Sequence, residues 1–516
     1  MEAAAAVSGP LGEPALVFIG FMGAGKTSAA RAAAAALGGR SVDSDTVVEE
    51  RLGRRIDEYF ASHGEDAFRE LEEQVVCELL DAPPGPVISL GGGAVGSPRV
   101  REALERHIVV LLDVDPATAW QRAGGRRPLA RDRERFEALH AERRPLYDAL
   151  AGAILTDSSR DVVRRAVPAI TALRRAPEGT RMLWARSASG DYPVYVGSGV
   201  LGAPRGLPGR AFLVTDETVG PLYGARAGEF AATIAIPPGE AAKTWEQAGR
   251  VLRALAAAGM GHDDHLAALG GGVVGDLAGF CAATYQRGVP VVQLPTTLVA
   301  QVDSAYGGKT GVDLPEGKNY AGAYHQPAAV FADPSTLATL PREELAAGWA
   351  EVIKTALIAG GPLWERVRRG EAGVDAELIV ACARTKLAIV AQDERDAGRR
   401  QVLNLGHTVG HAIETATGYA RYRHGEAVGL GLLAALTLSE QPALRAEVAE
   451  LLAAHGLPTT LDAAVDHEAV LSALQRDKKR RGGRVGFVLV EAPGDVRTGR
   501  AVEPDDVARA LGELAP

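Results

Sequence analysis

Cysteine is scarce in this chain, and so is any excess of positive charge. Three cysteines, Cys77, Cys281 and Cys382, are scattered over 516 residues, and no C-x-x-C pair is present. A disulfide framework is therefore not expected, and a reducing compartment is the expected setting. Lys and Arg total 56 against 65 Asp and Glu, a formal net charge of -9. A nucleic-acid or membrane-surface protein needs a basic face, so neither partner is expected. Small anionic substrates stay open, because a local basic pocket can sit inside an acidic protein. The opening stretch "MEAAAAVSGPLGEPALVFIGF" lacks a basic n-region, and "ALVFIG" is too short to span a bilayer. A cytoplasmic protein is expected. An internal duplication is missing as well: two segments share L-G-G-G-x-V-G, "SLGGGAVGSP" from Ser89 and "ALGGGVVGDL" from Ala268, with no further similarity around them.

The composition, 47% apolar and 23% charged, is that of a soluble globular protein. The length suits roughly three domains. Residues 15–175 alternate short apolar runs ("ALVFIG", "PVISLGGG", "HIVVLLDV") with helical patterns, the mark of a parallel sheet with crossover helices. Residues 1–14 read as a tail and 176–181, with Pro177 and Gly179, as a linker. A new strand pair is expected near Met182, and α/β alternation returns from about 210 to 330, within an expected domain of 182–333. Residues 334–516 are strongly helical apart from "GRVGFVLVEAPGDVRTG", which reads as a hairpin. The expected fold class is α/β: a P-loop domain, a Rossmann-like domain, then a mainly α-helical one.

"GFMGAGKT", from Gly20 to Thr27, fits G-x-x-x-x-G-K-[ST] between the strand "ALVFI" and the helix "SAARAAAAAL". Bare backbone at Gly23, Ala24 and Gly25 would curl amides around phosphate oxygens, with Lys26, Thr27 and Ser28 opening the helix. Lys26 is expected to reach the β/γ-phosphates of ATP and Thr27 to ligate Mg²⁺. In "SVDSDTVVEE", Asp43 and Asp45 follow the second strand, where loops face the nucleotide; one suits the metal, the other a substrate hydroxyl. Arg69 in "DAFRELEE", with Arg143 and Arg144 before Pro145, offers guanidiniums suited to a carboxylate.

Together these motifs resemble shikimate kinase over residues 15–175. The resemblance implies that Asp45 holds the ring hydroxyls of shikimate and that Arg69 and Arg143 grip its carboxylate. It further implies that the substrate lies against Gly91–Gly93, with Gly92 in contact, and that Arg127 in "GGRRPLA" is the lid arginine. The lid between Gly125 and Arg143 is shorter than usual for the family. A gluconate-kinase-like enzyme lacks this combination of D-x-D, F-R and G-G-G.

The second half holds a histidine cluster, "LNLGHTVGHAIETATGYARYRHGEAVG". His407 and His411 share a helix face, and His424 opens a further helix. Glu351 is one of few polar groups in "AAGWAEVIKTALI", so a partner is expected for it, with Lys354 one turn on. Two histidines and one carboxylate form a catalytic zinc set. Three histidines are available for two places, and spacing alone does not choose among them. The string Gly270, Gly272, Gly275 has the G-x-G-x-x-G spacing, but the ribose-binding acid about 20 residues on is missing.

Its companions carry more. "PPGEAAKTWE", "YQRGVPVVQLPTTLVAQVDSAYGGKTGVDLPEGKNYAGAYHQP", "GWAEVIK", "RQVLNLGHTVGH" and "RHGEAVG" occur in the order found in 3-dehydroquinate synthase. On that resemblance, over about 182–510, the Zn²⁺ (or Co²⁺) ligands would be Glu351, His407 and His424. His411 would serve as a supporting or proton-transfer residue. NAD⁺ would be lined by Asp216, Glu240, Lys243, Gly272, Val273, Val274, Gly275, Asp276, Thr296, Thr297, Lys309 and Lys318. Substrate contacts would come from Arg287, Asp303, Lys309, Asn319, Lys354, Lys386, Arg400, Asn404 and His411, with Lys318 and one of Lys478 or Lys479. Asp396 stands where the family generally has Glu. The implied reaction converts 3-deoxy-arabino-heptulosonate 7-phosphate to 3-dehydroquinate with release of phosphate. A homodimer through this half is implied too. The rival readings are another sugar-phosphate cyclase in this half, or a first half that binds nucleotide only to regulate.

Overall fold

The computed structural model describes residues 14–81, 87–123, 132–203, 206–370, 373–480 and 486–515. The chain divides into two compact units, 1–184 and 185–516. The division falls a few residues beyond the 176–181 linker read from the sequence.

The first unit runs β1 (Leu16–Ile19), α1 (Lys26–Ala36), β2 (Ser41–Asp43), α2 (Ser44–Leu52), α3 (Ile56–Asp81, broken at Gly64), β3 (Val87–Ser89) and α4 (Pro98–Leu104). It continues with β4 (Ile108–Leu112), α5 (Pro116–Ala123), α6 (Arg133–Leu150), β5 (Ala153–Leu155), α7 (Arg160–Ala172) and β6 (Arg181–Ala185). Its strands lie in the order β2-β3-β1-β4-β5-β6, every neighbour parallel. The strand near Met182 thus extends this sheet, with Met182 beside Ala153. Continuous apolar runs such as "LVFI" and "IVVLL" suit strands covered on both faces. Register sets the working edge: Asp43 ends β2 opposite Ser89 of β3, beside the loop that follows β1.

The second unit begins with β7 (Tyr192–Val196), β8 (Ala211–Asp216), α8 (Val219–Tyr223), β9 (Ala232–Ile236), α9 (Trp245–Ala257), β10 (His265–Gly270), α10 (Gly272–Thr284) and β11 (Val291–Pro295). A hairpin of β12 (Lys309–Leu314) and β13 (Gly317–Tyr324) precedes β14 (Ala329–Ala332). The main sheet runs β7-β14-β11-β10-β8-β9, again parallel throughout. Gly270 pairs with Pro295, so the loops after β10 and β11 emerge side by side. Phe212, Val214, Leu266, Val274 and Leu277 belong to the core beneath them.

Helices follow: α11 (Arg342–Ala359), α12 (Gly361–Arg368), α13 (Ala376–Gln392), α14 (His407–Ala416), α15 (His424–Leu438), α16 (Pro442–Ala454) and α17 (His467–Arg480). The expected hairpin is β15 (Phe487–Ala492) with β16 (Asp495–Arg500), and α18 (Pro504–Gly512) closes the chain. No described helix is long and apolar enough to cross a membrane.

Backbone contact positions the three central helices. A side chain at Gly431 of α15 would strike the Gly406 carbonyl just before α14, and one at Gly425 would strike the Ala347 carbonyl of α11. Replacing Gly431 by Ala is expected to lower the stability of the second unit by about 1–3 kcal/mol, the usual cost of overpacking. Scanning calorimetry of the full chain checks this; an unshifted second-unit transition would show that the crossing tolerates a methyl group.

Candidate active sites

In the first unit the loop after β1 curls ahead of α1, whose first turn carries no acidic side chain. Lys26 lies back on this loop, its Nζ donating to the carbonyls of Gly20 (2.9 Å) and Phe21 (3.2 Å). Thr27 Oγ1 and Ser89 Oγ both donate to Asp43 Oδ2 at 2.6 Å, while the Asp45 amide donates to Asp43 Oδ1 at 3.1 Å. Asp43 is thereby fixed beside Thr27 at the helix N-terminus.

Opposite stands the string Gly91–Gly93. A Cβ at Gly91 would lie 2.5 Å from Glu72 Oε1 and 2.6 Å from Asp45 Oδ1; one at Gly93 would overlap the Arg69 guanidinium. Bare backbone here is what lets two carboxylates and a guanidinium converge. Arg143 and Tyr147 both donate to the Gly92 carbonyl, at 3.2 Å and 2.6 Å. Arg69 holds Glu72 at 2.5 Å. Burial, reinforced by the Asp45 charge, raises the Glu72 carboxyl above its ordinary value despite that pairing. Arg69 and Arg143 both line a cavity of about 740 Å³. Arg144 turns elsewhere, to Asp113 (3.1 Å) and Asp148 (2.8 Å). Arg127 lies outside the described residues. Glu72 and Tyr147 went unnoticed in the sequence, although "FRELEE" puts Glu72 one turn after Arg69 and "RRPLY" ends on Tyr147.

In the second unit a cavity of about 970 Å³ reaches from Asp216 and Glu240 past Gly272, Val273 and Val274 to His407, His411 and His424. Asp276, Thr297, Asp303, Lys318, Asn319 and Asn404 also line it. Lys243, 4% exposed, reaches Asp276 Oδ2 at 2.6 Å. Asp216 accepts the amides of Thr218 (2.9 Å) and Val219 (2.8 Å). Gly275 and Thr296 lie just beneath: a Cβ at Gly275 would meet Gln293 Oε1 at 2.8 Å, and the buried Thr296 hydroxyl makes no hydrogen bond among the described residues. A long groove with bare main chain at a helix N-terminus fits a dinucleotide.

Next to the lining residues His407 and His424, Glu351 Oε1 lies 3.6 Å from His407 Nε2 and 3.4 Å from His424 Nε2. Glu351 is wholly buried, and neither oxygen makes a hydrogen bond of standard geometry among the described residues, although Lys354 Nζ stands 2.5 Å from Oε2. Despite burial, Lys354 and the two histidines hold this carboxyl well below the ordinary range. Burial and the Lys354 charge push His407 down to about 3. Burial alone would lower His424, but the Glu351 and Glu414 carboxylates beside it lift it to about 9. An anionic carboxylate with a neutral imidazole is the state that ligates a cation, and Glu351 Oε1, facing both rings without a hydrogen bond among the described residues, fits one. His411, exposed along the cavity wall, is lowered to about 4 by the protein packed around it and by the His424 charge, its ring 5.2 Å from that of His407.

A second cationic group lies alongside. Lys386 donates to Asp303 Oδ1 (2.8 Å) and to its main-chain carbonyl (2.6 Å), and Lys354 stands 3.9 Å from Oδ2. Five expected substrate contacts are absent from the cavity lining: Lys354 and Lys386, both buried, and Arg400, Lys309 and Arg287. Arg400 is buried with its guanidinium on the carbonyls of Glu394 (2.6 Å) and Gly307 (3.0 Å). Lys309 pairs with Asp396 at 2.5 Å. Arg287 is exposed, at φ 71, beyond α10. The side chains of Lys478 and Lys479 lie outside the described residues. Glu414, not singled out from sequence, joins His424 to Lys318.

Comparison with known proteins matches residues 22–171 to the shikimate kinase family model. Residues 233–347 match the N-terminal model of 3-dehydroquinate synthase, and 348–480 its C-terminal model. A 3-dehydroquinate synthase of Symbiobacterium thermophilum is 44% identical, covering 63% of this chain and 98% of that protein. One of Halorhodospira halophila is 43% identical, over 64% and 99%. Among solved structures, a 2-epi-5-epi-valiolone synthase from Streptomyces hygroscopicus, with NAD⁺ and Zn²⁺ bound, is 28% identical at a TM-score of 0.57, covering 63% of this chain and 96% of that one.

Asp303 is the counter-charge between two buried lysines, so Asp303→Ala is expected to destabilise the second unit by about 3 kcal/mol. Adding Lys386→Met should recover part of that loss, because the pair is then removed together. Urea unfolding of the single and double variants checks this; strictly additive effects would show that the two groups are not coupled.

Proposed function

Since the chain belongs to the 3-dehydroquinate synthase family and carries a shikimate kinase domain ahead of that part, we propose that one polypeptide performs two reactions. The first unit phosphorylates shikimate from ATP. The second converts 3-deoxy-arabino-heptulosonate 7-phosphate to 3-dehydroquinate with loss of phosphate. When bound, Mg²⁺ supplies charge neutralisation in the first reaction, while Zn²⁺ or Co²⁺ supplies polarisation of a hydroxyl and NAD⁺ a hydride acceptor restored within the cycle of the second.

In the first unit Lys26 leaves the carbonyls of Gly20 and Phe21 for the phosphate oxygens, and Thr27 with Asp43 holds the ion. Asp45 orients the acceptor hydroxyl against Gly91–Gly93 and takes its proton. Arg69 and Arg143 clamp the carboxylate, and Glu72 keeps Arg69 in place. Catalysis there is positioning plus electrostatics.

In the second unit Glu351, His407 and His424 hold the ion. Lys243 and Asp276, with the main chain from Gly272 to Val274, hold the dinucleotide. Lys354, Lys386 and Asn404 meet the anionic ends of the substrate, whose carboxylate and phosphate explain why lysines gather inside an acidic protein. Arg400, committed to main-chain carbonyls, shapes the Gly307 turn. The observation that carries the reading is the buried Glu351, whose Oε1 faces two histidines across 3.6 Å and 3.4 Å.

Two assays on one preparation test it. Lys26→Ala should abolish shikimate phosphorylation and leave dehydroquinate formation within about twofold; loss of both would instead make the first unit a regulator. After chelation and dialysis, Mg²⁺ alone should restore the kinase reaction, and the synthase reaction should return only with Zn²⁺ or Co²⁺. Turnover confined to sugar phosphates without a carboxylate would identify a different cyclase.

A further inference from the structure

The two histidines aimed at Glu351 are anchored differently. His407 Nδ1 faces the main-chain carbonyl of Leu405 at 3.2 Å. His424 Nδ1 faces a side chain, Glu414 Oε2, at 3.4 Å. Glu414 is 2% exposed and sits two turns after His407 on α14. Its other oxygen accepts from Lys318 Nζ at 3.0 Å. Lys318 in turn stands 3.6 Å from Glu240 on the dinucleotide side of the cavity and 4.6 Å from the Tyr419 ring centre.

His411, Glu414 and His424 also present ligand atoms close enough together for a cation. Lys318 argues against a second ion there, because an ammonium already occupies the Glu414 charge. What the arrangement does offer is an acceptor that keeps the His424 Nδ1–H directed at Glu414, so that Nε2, once its proton is displaced, is the atom left to face a cation beside Glu351. A carboxylate in this role orients the ring and raises its basicity more than a carbonyl does. We infer that Glu414 is a positioning residue for the cation site: it fixes the tautomer and tilt of His424 and, through Lys318, ties that site to the rim of the dinucleotide groove. The inference rests on Glu351, His407 and His424 being the ligands of the proposed function.

The test is Co²⁺ binding to the metal-free full-length chain, by competition with a chromophoric chelator and by the visible band of bound Co²⁺. Glu414→Ala is expected to weaken affinity about 10- to 100-fold, the range seen when such partners are removed. Glu414→Gln keeps an acceptor without its charge; it should fall between, with a shifted Co²⁺ band, and it keeps the test alive should the Ala variant fail to fold. A role in stability alone would lower the melting temperature of the metal-free variants while leaving affinity and spectrum at wild-type values, which overturns the inference and leaves the proposed function standing. A wild-type chain that binds no Co²⁺ would overturn both.

Discussion

Where α15 crosses the start of α14 and meets α11, no side chain separates the main chains. Gly431 lies against the Gly406 carbonyl, and Gly425 against that of Ala347. This backbone-to-backbone approach brings His407 and His424, at the first turns of two helices, within reach of Glu351 on a third. The price is a carboxylate in the dry core without standard hydrogen bonds. Lys354 offsets part of that cost as a nearby charge, and a dication would offset the rest. A cluster that is incomplete on its own and complete with an ion is what a site selected for binding, rather than stability, should look like.

The first unit obeys a related constraint at the ends of parallel strands. Strand register sets Asp43 opposite Ser89, and both meet the helix that carries Thr27. Across from it, Gly91 and Gly93 leave room for Asp45, Glu72 and Arg69. The shared glycine string therefore serves two purposes. In the first unit it clears space for polar side chains arriving from other elements. In the second it lets the turn after β10 pack on Thr297 and Gln293 while presenting bare main chain to the cavity.

Much of this was legible in the linear chain because the residues concerned are bound to local geometry. "GFMGAGKT" between a strand and a helix dictates a phosphate loop, and the His407–His411 spacing dictates one helix face. Glu72, Tyr147 and Glu414 escaped notice for the opposite reason. Each is an ordinary residue on a helix, and what marks it out, the Asp45 charge near Glu72, the Gly92 carbonyl at Tyr147 and the Lys318 ammonium at Glu414, comes from a segment distant in sequence. Arg287, Lys309 and Arg400 could be named from motifs, but whether each faced solvent, a carboxylate or a carbonyl depended on how the surrounding chain folds back.

Sequence alone determined the alternation of strands and helices, the phosphate loop, the order of the two units and the identity of the residues able to ligate a cation, since periodicity and side-chain chemistry act over short range. Tertiary structure decided which histidines share a focus with Glu351, which arginine of the Arg143–Arg144 pair turns inward, and where the last strand of the first sheet belongs. Those outcomes hinge on ångström-scale approaches between segments far apart in the chain, and such distances are set by packing of the whole fold.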